Sequence, residues 1–122
     1  MRLQHVSIPF PGDGHERARA FYGGVLGLRE KQAPAAFGPG QVIWYDTGPD
    51  ELELHLFVDV EEANPRQHFA LVVDDADALR ARLEEAGVET ADAEPIENRP
   101  RFYCRDPFGN RIELTTILGP YR

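Results

Sequence analysis

The chain has one cysteine, Cys104, so no intramolecular disulfide and no paired-thiol metal motif can form. Flanked by Phe102, Tyr103 and Arg105, with no histidine near it in sequence to activate it, Cys104 reads as a packing residue on a strand. There is one lysine, Lys31, which leaves no lysine cluster and no obvious Schiff-base amine. A formal charge of -8 works against a polyanionic partner, because nucleic-acid affinity depends on neutralising phosphates with Lys and Arg. Nucleic acid and anionic membrane surfaces are therefore excluded as expected partners. No apolar run approaches the roughly 18 residues of a membrane span, and Met1 to Val6 lacks the apolar core of a signal peptide, so a cytoplasmic location is expected.

What is present fits one folded domain of 122 residues. Arg2 to Phe10 reads as a strand with Leu3, His5 and Ser7 on one face, stopped by Pro9, Pro11 and Gly12. Asp13 is the expected cap of a helix through Tyr22, whose end Gly23-Gly24 and Gly27 mark, and Leu28 to Lys31 forms a short strand. After a loop at Ala33 to Gly40, strands are expected at Gln41 to Tyr45 and Glu51 to Phe57. The latter alternates strictly: Leu52, Leu54 and Leu56 face a core, while Glu51, Glu53 and His55 share the other face.

The second half repeats the order. A strand at Gln67 to Val73 leads through Asp74-Asp75 into a helix buried through Leu79 and Leu83 and ended by Gly87, with Arg80 among its water-facing residues. Strands follow at Val88 to Thr90, Arg101 to Arg105 and Arg111 to Ile117, so each half reads β-α-β-β-β. Leu3-Gln4-His5-Val6 matches Arg66-Gln67-His68-Phe69 at an offset of 63, and Leu52-Glu53-Leu54 matches Ile112-Glu113-Leu114 at an offset of 60. Two His and two Glu at repeat-related positions suit a metal site. A carboxylate such as Glu113 on the concave side of a sheet is costly to bury without a cation or an arginine. Two imidazoles and a carboxylate suit divalent Fe, Mn, Ni, Co or Zn, although the wide spacings match no local metal motif.

The segment Phe21-Tyr22-Gly23-Gly24-Val25-Leu26-Gly27-Leu28 resembles the end of the first helix in the glyoxalase / bleomycin resistance / extradiol dioxygenase superfamily, the vicinal oxygen chelate fold. Phe102 to Leu114, containing Asp106-Pro107-Phe108-Gly109-Asn110, resembles its closing hairpin, with Asp106 to Asn110 a structural turn. The resemblance covers essentially the whole chain. It implies an α+β fold of two βαβββ modules, about 1–60 and 65–122, forming a curved, open mixed-sheet cup with helices outside. It implies a divalent metal on His5, His68, Glu113 and a fourth residue, Glu53 by the repeat offset or His55 as the alternative, with Glu113 and Glu53 available as catalytic bases. The implied activity is a metalloenzyme chelating a small substrate's oxygens, for glyoxalase-type isomerisation or lyase chemistry, or for dioxygenase chemistry. A fosfomycin-type thiol transferase would need a basic pocket, which the acidic balance opposes. A metal-free, drug-sequestering protein of the bleomycin-resistance type is the alternative, with Trp44, Tyr45 and Tyr103 as an aromatic groove. A homodimer is also implied.

Overall fold

The computed structural model describes residues 1–59, 63–64 and 66–121. The module ends expected at 60, 65 and 122 lie outside the described residues. Two compact units are present, one of residues 1–64 with 107–109, the other of residues 65–106 with 110–122.

In the first unit β1 (His5–Phe10), β2 (Arg29–Lys31), β3 (Val42–Asp46) and β4 (Glu53–Val58) form a sheet ordered β1-β4-β3-β2, with β1 parallel to β4 and the other pairs antiparallel. Alternation sets its two faces. Ile8, Phe10, Ile43, Tyr45, Leu54 and Leu56 are buried with Phe21 and Tyr22, whereas Leu52 lies half-buried before the strand begins. Helix α1 (His15–Ala18) widens into a π-helical stretch at Arg19–Val25. Its cap is Gly14 and not Asp13, whose carboxylate instead reaches Arg17 at 3.7 Å. Glycine is needed there for space: a Cβ would lie 2.8 Å from the Phe108 ring.

The second unit contains β5 (His68–Val72), α2 (Ala76–Glu85), β6 (Thr90–Asp92), β7 (Arg101–Arg105) and β8 (Arg111–Thr115), with sheet order β5-β8-β7-β6. Asp75 caps α2 by accepting from the Ala78 N–H at 3.0 Å. Ala76 and Leu83 are buried, with Phe102, Cys104, Ile112 and Leu114 buried from the sheet; Leu79 is half-buried. Arg80 departs from the solvated position expected of it. It bridges Asp92 at 2.8 Å and Glu84 at 3.2 Å, with its guanidinium over the Phe102 ring. Burial pushes the Cys104 thiol up to about 12, consistent with an inert packing role. The β7–β8 turn closes through the Asp106 carboxylate, which accepts from the Asn110 backbone N–H at 2.8 Å and its side-chain amide at 2.7 Å. Gly109 takes φ +89, the left-handed conformation this turn requires. That turn fixes the register of Glu113 opposite Tyr103.

Candidate functional site

In the first unit His5, Glu53 and His55 all lie on the sheet face opposite the core. His5 is the Cα partner of Glu53 and Ser7 of His55 across β1 and β4. Side-chain length and direction then bring His5 onto His55: the rings stack with centroids 4.2 Å apart, and the Trp44 indole stacks on His55 at 3.4 Å. Phe37, from the loop after β2, packs on Trp44 and Phe57 at 5.4 and 5.6 Å and extends the aromatic surface. Tyr45 does not belong to it. Alternation on β3 puts it on the side of Ile43, in the core and fully buried, where burial raises its hydroxyl to about 12.

Glu53 is the centre of a polar network. Its carboxylate accepts from Lys31 Nζ at 2.6 Å, His55 Nε2 at 2.8 Å, Trp44 Nε1 at 3.0 Å and Gln4 Nε2 at 3.3 Å. Lys31 also reaches Asp46 at 3.2 Å. The Lys31 ammonium above all, with the His55 and Gln4 hydrogen bonds, holds Glu53 down to about 2 against the opposing effect of burial. Burial lowers His55 despite the Glu53 bond. An ionised carboxylate only accepts, so His55 Nε2 carries the proton and Nδ1 keeps its lone pair. The same reasoning applies to His5, whose Nδ1 lies 2.6 Å from the Gln4 side-chain oxygen, which leaves Nε2 as the acceptor nitrogen.

In the second unit His68 Nε2 is 3.5 Å from Glu113 Oε1, and Arg101 Nη1 donates to the same oxygen at 3.0 Å. The sequence anticipated that a carboxylate on this face would need a cation; the identity of Arg101 as that cation was not foreseen. It is two positions from Tyr103 on the same strand face, a relation that only the β7–β8 register makes meaningful.

The register also revises the repeat. His5 pairs with Glu53, and His68 pairs with Arg111. Glu53 therefore corresponds to Arg111 and His55 to Glu113, an offset of 58 in these strands where the sequence match read 60. The neighbouring strands agree, since Trp44 lies opposite His55 and Tyr103 opposite Glu113. The Leu-Glu-Leu and Ile-Glu-Leu similarity is thus a two-residue slip, which preserves the face of every side chain and cannot be detected from alternation. In kind, the free ring nitrogens of His5 and His55 and the His68–Glu113 pair are donors suited to a divalent ion. Among the described residues no three His, Cys, Asp or Glu side chains gather into a group that could hold one. No helix among the described residues is long and apolar enough to cross a membrane.

Similar proteins agree with the fold. A crystal structure of a glyoxalase family protein from Bacillus anthracis is 31% identical, with a TM-score of 0.87, covering 96% of this chain and 95% of its own. A glyoxalase/dioxygenase from Nostoc punctiforme is 25% identical, with a TM-score of 0.77 over 95% of this chain and 90% of its own. The fosfomycin resistance protein FosX from Mesorhizobium loti, 21% identical with a TM-score of 0.67 over 94% of this chain and 91% of its own, shares the fold. No curated protein sequence matches. The family model described as the Glyoxalase/Bleomycin resistance protein/Dioxygenase superfamily matches residues 2–114. With two mixed four-stranded βαβββ sheets and that match across nearly its whole length, the chain belongs to the Glyoxalase/Bleomycin resistance protein/Dioxygenase superfamily.

Proposed function

We propose that the chain is a divalent-metal-dependent enzyme of the vicinal oxygen chelate type, acting on a small substrate with adjacent oxygens. His5, His68 and Glu113 would hold the metal, with His55 in the fourth place and Glu53 behind it. The observation that carries this reading is the match between the halves: each first-strand histidine lies against a last-strand donor, His5 on His55 and His68 beside Glu113. The sheet registers make these two pairs counterparts. Glu53, with four donors on it and held near 2, is a poor proton acceptor, so it serves better as the group that orients His55.

A bound divalent metal supplies Lewis acidity toward substrate oxygens. The chain's residues then divide the remaining work. Glu53 keeps the His55 proton on Nε2, and Gln4 keeps that of His5 on Nδ1. Arg101, donating to its carboxylate, holds Glu113 in place. Phe37, Trp44 and Phe57 exclude water from one side of the histidine pair. A third imidazole in place of a second carboxylate weakens a proton-shuttling isomerisation, which needs a carboxylate base beside the metal. Two similar proteins at 25% identity carry oxidative chemistry in their names, the Nostoc glyoxalase/dioxygenase and oxidase ChaP-H2. The same aromatic surface supports the second reading, a metal-free protein that sequesters an aromatic ligand.

Calorimetric titration of the chelator-stripped protein with Co(II), Ni(II), Zn(II) and Mn(II) tests the proposal. His68→Ala and Glu113→Gln are each expected to weaken binding at least 100-fold, since each removes one of about four donors. Undiminished affinity in His68→Ala would refute the ligand set. Turnover of catechols, but not of a methylglyoxal–glutathione adduct, is the expected activity.

A further inference from the structure

The chain's acidity conceals a basic face. Arg101, Tyr103 and Arg105 on β7, Arg111 and Glu113 on β8 and His68 on β5 alternate with the buried Phe102, Cys104, Ile112 and Leu114, so they share the face of the second sheet turned away from its core. That face carries three arginines against one acid. Arg2, Arg17, Arg19, Arg29, Arg80 and Arg101 each pair with a carboxylate, as expected in a chain with so many acids. Arg111 does not. Among the described residues its guanidinium has no carboxylate partner and lies over the Tyr103 ring, 3.8 Å from the centroid.

Contact with a ring face uses the charge of a guanidinium and none of its N–H hydrogen bonds, so the planar fork that grips an oxyanion is still available. Arg99 gives the contrast within the same unit. It lies over Tyr121 at 4.2 Å, but its Nη1 is committed to the Asn98 and Gly119 carbonyls. Tyr103 is held from the other directions too: its hydroxyl accepts from Arg101 Nη1 at 3.2 Å, and the His68 ring meets it edge-on at 5.3 Å. Arg101 spends its terminal nitrogens on Tyr103, Glu113 and the Glu94 carbonyl, and among the described residues its buried Nε has no partner. Buried donors are rarely left unpaired.

We propose that this face is an oxyanion subsite, in which Arg111, floored by Tyr103 and backed by Arg101, takes the carboxylate end of a small substrate beside the His68–Glu113 pair. The subsite deepens the reading under Proposed function and rests on it for the identification of the anion as substrate. It is compatible with the overall acidity, which opposes a polyanion, because one guanidinium without a carboxylate partner acts locally whereas charges beyond roughly 8–10 Å are screened.

The test is an amide-resolved NMR titration of the full chain, at about 0.15 M salt with chelator present, using benzoate, benzamide and inorganic phosphate as probes. Benzoate should shift the Tyr103 and Glu113 signals and bind at least 10-fold more tightly than benzamide. Arg111→Gln should cost at least 10-fold in benzoate affinity, Arg111→Lys less, and Arg99→Gln under twofold. Phosphate binding with the same dependence on Arg111 would extend the subsite to tetrahedral oxyanions. Equal binding of benzamide, wild-type affinity in Arg111→Gln, or an equal loss in Arg99→Gln would each overturn the proposal. Should Arg111→Gln fail to fold, Arg111→Lys and the benzoate–benzamide comparison on the wild type decide it. The chelator keeps the outcomes separate: failure to bind any metal in the calorimetric titration would refute the enzyme reading and leave the anion result intact.

Discussion

Replacing Glu53 with glutamine tests whether the carboxylate braces His55 through its charge. Glutamine keeps the size and one acceptor but presents an amide to Lys31 and His55 in place of an anion. In the folded chain Glu53 is held near 2 against an ordinary 4.5, chiefly by Lys31. At 1.36 kcal/mol per pH unit that shift sets a ceiling of about 3 kcal/mol. Glu53 is 9% exposed, but Lys31 is 29% exposed and retains Asp46 as a partner, so a realistic loss at pH 7 is about 1–2 kcal/mol. Because the folded-state value is depressed, the stability is present above the unfolded value and is lost as pH falls from about 4.5 through about 2. Urea unfolding with chelator present should therefore show the variant weaker than wild type at pH 7, with most of the gap gone by pH 2.5 and the rest lost only below about 2. At pH 7 the melting temperature should fall by about 4–8 °C. An equal difference at both pH values would mean that shape and packing, not charge, account for the loss, and the argument would fail.

Other expectations follow from packing and turn geometry. Leu83→Ala, at a fully buried position on α2, should cost about 2–5 kcal/mol in chemical denaturation, depending on how far the site collapses. Gly109→Ala should cost about 1 kcal/mol, because a Cβ there meets nothing within 4 Å and the penalty is only that of φ +89; a loss above about 3 kcal/mol would show that the turn had been misassigned. Sedimentation at micromolar concentration should show a dimer. Leu3, Val72, Ile117, Leu118 and Tyr121 are large exposed apolar side chains that a second copy would cover, and a 13.7 kDa species alone would exclude this.

Alternation and punctuation make the two sheets legible in the sequence. Leu54 and Leu56 on one side and Glu53 and His55 on the other are separated by a period of two that local chemistry imposes on any strand, and Gly109 marks a turn that few other residues could make. His5, His68 and Glu113 could be placed on strand faces in the same way. The cap at Gly14 was not legible, because Phe108 comes from a distant turn and only folding brings it close enough to forbid a side chain. Nor was the correspondence of His55 with Glu113. A two-residue slip leaves every residue on its own face, so the sequence carries no signal against it, and only the hydrogen-bonded register distinguishes 58 from 60. Charge partners were hidden for a related reason. Net charge is a sum over the chain, whereas the placing of Lys31 on Glu53, of Arg101 on Glu113, and of Arg111 on a tyrosine instead of an acid depends on which strands become neighbours. The sequence by itself determined the elements and the faces, because those are set by adjacent residues; the tertiary structure decided the partners, because those are set by pairing between strands far apart in the chain.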